Sequence, residues 1–223
     1  MVPRWLKRLL HQATISDQSY RFMFEAGPPD EVVALDCETT GLNPRIDDIV
    51  AIAAVKLRGR RILASEHFKA IARPAAEMAP AAIKVHRLRK VDVEHGRRLY
   101  HVLPDFLHFI AGRPLVGYYL DFDVRMIDKH LLGFAGIELP NPLIEVSKLY
   151  YERKYGDAPP GTAVDLSFKA ILKDLGLPAL EQHDALSDAL MTAMMYLMLR
   201  DLKQRDVRIP RPRSSSVLVP IGG

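Results

Sequence analysis

The chain has 223 residues, 48% hydrophobic and 26% charged, so it can bury a sizeable core in one large domain and needs no staples. With 31 Lys and Arg against 27 Asp and Glu it carries a formal charge of +4, a mild basicity that permits a nucleic-acid partner without demanding one. Its single cysteine, Cys37, excludes an internal disulfide and Cys-rich zinc modules, and no apolar run approaches the ~20 residues of a membrane span.

Residues 1–30 read as a helical extension that ends in the breaker Gly27-Pro28-Pro29. Arg4, Lys7 and Arg8 interrupt the apolar residues of the first ten, and no small-residue cleavage site follows. A secretory signal is therefore not expected, and the protein reads as cytoplasmic. The stretch Arg4–Leu10 reads as a short basic amphipathic helix. Packing against its own domain is favoured over a membrane surface, because one Trp and three Leu are few for an anchor.

The run Glu31 to Glu38 is nearly continuously apolar, as a central buried strand is. Ile49 to Leu57 and Ile62 to Ala72 read as two further strands, and the short connections imply an antiparallel meander. Ala79 to Lys90 and Leu99 to Ala111 read as helices, Pro114 to Tyr118 as a short strand. Helices follow at Phe122 to Leu132 with Asp121 as N-cap, and at Glu145 to Tyr155. Another spans Leu166 to Leu175 with Asp165 as N-cap, and the longest runs from Ala185 to Leu202. Residues 205–223 read as a flexible basic and Ser-rich tail, which leaves 31–204 as the main domain. A meander followed by alternating helices and strands is an α/β layered architecture.

The chemistry lies in the acids. Strand side chains alternate faces, so Asp36 and Glu38 point one way and Cys37 the other. Two carboxylates at the end of an apolar strand are costly unless a cation neutralises them, and a hard divalent metal suits oxygen ligands. Asp123 follows a short strand, in the first turn of its helix. His183 and Asp188 are five residues apart, about 140° round a helix, so one face cannot carry both. If they share a site, His183 sits in the loop and Asp188 inside the last helix.

Taken together, Asp36-x-Glu38-Thr39-Thr40-Gly41-Leu42, Phe122-Asp123 and His183-x4-Asp188 resemble the DEDDh 3′–5′ exonucleases of the DnaQ-like (proofreading epsilon-subunit type) family. The resemblance spans residues 31–200 and implies a ribonuclease H-like fold, a mixed sheet flanked by helices. It implies that Asp36, Glu38, Asp123 and Asp188 hold two Mg²⁺ or Mn²⁺ ions, and that His183 is the general base. Imidazole, whose ordinary pKa is about 6.5, suits that task at neutral pH. Asp121 is the alternative to Asp123, which is preferred because Phe122 then fills the family's Phe position. The resemblance places Thr39, Thr40, Leu42, Tyr118, Phe122 and His86 at the substrate, with Leu42 wedging against a base. The family usually has His-Asn where Tyr118-Tyr119 stands and often Glu where Ala51 stands. Two alternatives are open for the pair: the face of Tyr118 or Tyr119 stacks on a single-stranded base, or one ring is core and the other covers it.

The implied partner is a single-stranded nucleic-acid 3′ end, DNA favoured over RNA, with RNA 3′-end trimming as the alternative. A non-catalytic binding module ranks low because all the carboxylates are present, and a protein partner or second copy is left open. His86 to Lys90 with Arg97 and Arg98 form the densest basic patch of the domain, either a phosphate contact or a solvated helix end. No Gly-rich phosphate loop appears, which argues against nucleotide-triphosphate hydrolysis. The tail shows no clamp- or polymerase-binding peptide, so a stand-alone exonuclease is expected. With the four metal-holding acids set aside, 23 acids remain against 31 bases, an acidic pocket in a more basic surface.

Overall fold

The structure, a computed structural model, describes residues 4–181 and 183–211. Its frame is a mixed sheet in which β1 (Glu31–Thr39), β2 (Ile49–Arg58) and β3 (Arg61–Arg73) form the expected antiparallel meander. β4 (Arg97–Arg98) adds to β3 in parallel, and β5 (Leu115–Gly117) and β6 (Leu143–Glu145) extend the sheet in parallel beyond β1. The order is β4-β3-β2-β1-β5-β6. β1 is thus central, which is why its sequence is apolar on both faces. β4 and β6 escape the sequence because two or three residues are too short to show a period.

Val33 and Leu35 face a core shared with α4 (Leu99–Ile110) and α5 (Leu120–Ala135). Val32 and Ala34 face the other core, built with α6 (Val146–Lys154), α7 (Phe168–Asp174) and α8 (Ala185–Gln204). The architecture is the expected α/β one: a mixed sheet between two layers of helix. Among the described residues no helix is long and apolar enough to cross a membrane.

Several local expectations are corrected. The helix expected over 79–90 is two, α2 (Pro80–His86) and α3 (Lys90–Glu94). The His86 ring accepts the Leu88 N–H at 3.0 Å, and Arg87 turns to a left-handed φ of 59°, so the first helix stops there. Asp121 is not the N-cap of α5; Tyr119 is, and the acceptor for its first amides comes from Glu145. Asp165 is not the N-cap of α7 either. It accepts the Ser167 N–H, and Ser167 then caps the helix by accepting the Ala170 N–H.

The first 30 residues contain α1 (Arg4–Thr14) and a 3-10 segment, Gln18–Phe24. Tyr20, Met23 and Phe24 enter the α4–α5 core, and Arg8 donates to the Phe24 carbonyl at 2.5 Å. Gly112 makes this possible, since a Cβ there would stand 1.7 Å from the Glu25 carbonyl oxygen. At the other end Ile209 is buried in the α6–α8 core. Ile209 and the hydrogen bonds of Arg208 and Arg211 to Glu152 and Lys154 hold residues 208–211 against α6, and 212–223 of the expected tail lie outside the described residues.

Candidate active site

β1 delivers Asp36 and Glu38 to the α8 face, while Cys37 packs against the α4–α5 core. The residues opposite them in β2 are Ala53 and Ala51, which meet Ala185 of α8 in a small apolar contact. Methyl-sized side chains let the first turn of α8 approach the sheet, and Asp188 lies in that turn. Carboxylate oxygens of Asp36, Glu38 and Asp188 all lie within 4.8 Å of one another. Asp123, in the first turn of α5, is buried, and its charge acts on Asp36.

Burial, then the charges of Asp123, Glu38 and Asp188, push Asp36 well above the carboxylate range. Burial and the charges of Asp188 and Asp184 push Glu38 up to about 7. Burial and Glu38 raise Asp123. Burial raises Asp188 as well, partly offset by the His183 N–H. Among the described residues none of the four has a Lys or Arg ion-pair partner. Lys69, the nearby cation, is paired at 2.5 Å with Asp184, the N-cap of α8. Mutually repelling all-oxygen donors, buried at Glu38 and Asp123 and half-buried at Asp36 and Asp188, suit a hard divalent cation of the Mg²⁺ or Mn²⁺ class.

His183 lies in the turn before α8 with a left-handed φ of 67°, and its backbone N–H donates to Asp188 Oδ2 at 3.0 Å. The imidazole therefore stands outside the helix, exposed at the rim of the carboxylates, as the five-residue spacing predicts. Leu42 projects from the loop after β1 at 86% exposure. That loop is braced. The Thr40 hydroxyl donates to Asp47 Oδ1 and accepts the Asp48 N–H, both at 3.0 Å. Gly41 passes so close that a Cβ would stand 2.6 Å from the Asp47 carboxylate.

Thr40 is wholly buried, and its hydroxyl braces this loop. His86 is buried too. Its ring is held by the Leu88 amide, and burial lowers its pKa. Thr39 is mostly buried and donates to the Gly41 carbonyl at 2.7 Å. Phe122 is half-buried against the α4–α5 core. Tyr118 is the core tyrosine, its hydroxyl donating to the Leu166 carbonyl at 3.0 Å and its ring edge-on to Phe168. The exposed aromatic face belongs to Tyr119, at 61% exposure, over the Tyr118 ring and with a left-handed φ of 53°.

Glu145, Lys169 and Lys173 add to the site without a signal in the motifs, whereas Arg87 belongs to the expected basic patch. Glu145, at the end of β6, accepts the N–H groups of Tyr119, Leu120 and Ser147 and so fixes the start of α5, which holds Asp123. Its partners lie up to 26 residues away, and no local signal reveals it. Arg87, Lys169 and Lys173 line a cleft of about 710 Å³ that His183 also lines. The four-residue spacing of the two lysines, one face of a helix, is the signal that would have found them.

A family model described as "Exonuclease" (RNase_T) matches residues 33–196. The chain is 28% identical over 177 residues to a PolC-type DNA polymerase III of Thermotoga maritima, covering 78% of this chain but only 12% of that protein. It is 27% identical over 167 residues to the DNA polymerase III subunit epsilon of Aquifex aeolicus, covering 75% of this chain and 79% of that one. The chain thus spans a small part of the PolC-type relative and most of the epsilon subunit. Among solved structures it superposes on the zinc-bound complex of Escherichia coli exonuclease I with single-stranded DNA, with a TM-score of 0.66. That match has 16% identity and covers 80% of this chain and 42% of that one, a likeness of fold.

Proposed function

The chain belongs to the RNase T exonuclease family of DnaQ-like nucleases, and from that premise we propose that it is a DEDDh-type 3′–5′ exonuclease acting on single-stranded DNA ends. The observation that carries this reading is the set Asp36, Glu38 and Asp188, Glu38 buried and the other two half-buried, with oxygens within 4.8 Å, next to the buried Asp123 and under an exposed His183. The catalytic unit is residues 31–204, flanked by 1–30 and 205–223, in keeping with the family match over 33–196.

Asp36, Glu38, Asp123 and Asp188 would hold two divalent cations of the Mg²⁺ or Mn²⁺ class. Bound there, such ions supply charge neutralisation at the phosphate and ready ionisation of water. The chain's own residues do the rest. Leu42 stands where it meets the terminal base, and Tyr119 offers a ring for stacking. A water attacks the last phosphorus, and His183 takes its proton on an imidazole nitrogen. The bond from phosphorus to the 3′ oxygen breaks, that oxygen takes a proton from solvent to become the 3′ hydroxyl of the shortened strand, and a nucleoside 5′-monophosphate leaves. The hydrogen bond from the His183 backbone to Asp188 fixes the base relative to the acids, which is the positional part of the rate.

DNA is favoured because the similar proteins are DNA polymerase III components and an exonuclease I bound to single-stranded DNA. Matched DNA and RNA oligomers, labelled at the 5′ end, test the reading with Mg²⁺ or Mn²⁺. Stepwise shortening from the 3′ end, faster for DNA, is expected of the wild type and not of Asp36→Asn. Metal-independent breakdown shared by wild type and variant would overturn it, and faster RNA shortening would move the substrate to RNA.

A further inference from the structure

A second cavity lies at the catalytic end of the sheet but on the opposite face. Ile49 lines it, stands opposite Thr39 in the β1–β2 register and faces the α4–α5 core, away from the acids. The cavity encloses about 620 Å³, within the range of small-ligand pockets.

Its charged lining is unbalanced. Arg73 and Arg98 end the adjacent strands β3 and β4 in direct register, and both line the cavity. Neither has a carboxylate partner among the described residues, whereas the neighbouring Arg97 is held by Asp105 at 2.8 Å. Arg73 is steadied by the Glu94 carbonyl at 3.3 Å, which leaves its charge uncompensated. The one acid in the lining, Asp48, is already satisfied by the Ala75 and Ala76 N–H groups, each at 2.8 Å, and by Lys129 at 3.3 Å. His130 Nε2 is enclosed and makes no hydrogen bond, its nearest carboxylate oxygen being 3.5 Å away. The cavity therefore presents two guanidinium groups without a carboxylate partner among the described residues and an imidazole nitrogen without a hydrogen bond, a lining for an anion.

The remaining walls are aromatic. Tyr100 is 50% exposed and Phe134 36% exposed, and both rings border the cavity. A bare phosphate has no use for such walls, and an apolar ligand has none for two arginines. We propose that this cavity is a nucleotide-binding subsite separate from the carboxylate centre, with Arg73 and Arg98 on a phosphate and Tyr100 and Phe134 on a base. The ligand is a nucleotide, either one unit of a bound strand or a free mononucleotide.

The test is binding without turnover and so does not depend on the exonuclease reading. dAMP, deoxyadenosine, inorganic phosphate and an eight-nucleotide dA strand are titrated calorimetrically in EDTA. The proteins are wild type, Arg73→Ala, Arg98→Ala and the paired-arginine control Arg97→Ala. The arginines are exposed, so the variants keep the fold, checked by melting. Either dAMP or the octamer is expected to bind at least about tenfold more weakly to Arg73→Ala and Arg98→Ala, with Arg97→Ala near wild type. Loss confined to dAMP identifies the free nucleotide as the source, and loss with the octamer identifies the strand. Unchanged affinity for both ligands in the two variants overturns the proposal. So does phosphate binding as tightly as dAMP, which would make the cavity a plain anion site.

Discussion

At the residue scale, Asp36 and Glu38 set function against stability. Carboxylates whose pKa values are raised by burial and by one another are strained when ionised without a cation. Asp36→Asn removes one of the repelling charges. It is expected to raise the melting temperature in EDTA while lowering metal-dependent nuclease activity by at least about 100-fold. A thermal-shift series with and without Mg²⁺, beside the strand assay, checks both. His183→Ala separates proton transfer from metal holding, because the bond to Asp188 comes from the backbone N–H and survives the substitution. Its kcat is expected to fall by about 10²–10⁴ with the Mg²⁺-induced thermal shift retained. A lost thermal shift would instead give His183 a part in holding the metal site. The alternation that pairs Asp36 with Glu38 is legible in the sequence, since successive strand residues must face opposite ways. That Thr40 and His86 point inward is not, because burial belongs to the neighbours and not to the motif.

At the element scale, the placement of Asp123 depends on Glu145. One carboxylate accepts from the first amides of both α5 and α6, so Glu145→Ala removes the cap of each. A loss of about 1–3 kcal/mol in urea unfolding is expected, together with reduced activity, and Glu145→Gln should restore part of both. The far ends of β1 and β2 are tied by Glu31, which is buried and meets Arg58 and Arg113, each at 2.7 Å. Burial raises its pKa, but the two guanidinium groups outweigh that and hold it below the ordinary value. A depressed carboxylate contributes stability above its unfolded pKa and loses it as pH falls through the folded one. Acid unfolding below about pH 4.5 should therefore be shallower in Glu31→Gln, with lower stability at pH 7. The long elements β1, β2, β3, α4 and α8 are legible from their periods. The break at Arg87 and the two short strands are not, because a side-chain cap or a two-residue ladder leaves no periodic trace.

At the scale of the whole molecule, the excess of bases left by the four acids has identifiable places to act. One is the cleft of Arg87, Lys169 and Lys173 beside His183, and another is the Arg73–Arg98 cavity on the opposite face. Lys169→Glu with Lys173→Glu should raise KM for a 20-nucleotide strand and flatten its salt dependence. A small chromogenic nucleotide ester, too short to reach the cleft, should turn over as in the wild type. Equal effects on both substrates would place the lysines in the chemistry instead of along the strand. By itself the sequence determined the meander, the shared face of Asp36 and Glu38, and the loop-then-helix placement of His183 and Asp188. Each follows from backbone periodicity within a few residues. Only the tertiary structure decided that the first turns of α5 and α8 deliver Asp123 and Asp188 to β1, and that Tyr119 and not Tyr118 meets solvent. It alone also decided that Glu145 caps from 25 residues away and that two strand ends leave a pair of arginines unpaired over a cavity. Those outcomes depend on which distant side chains share a volume, and chain-local geometry does not encode that.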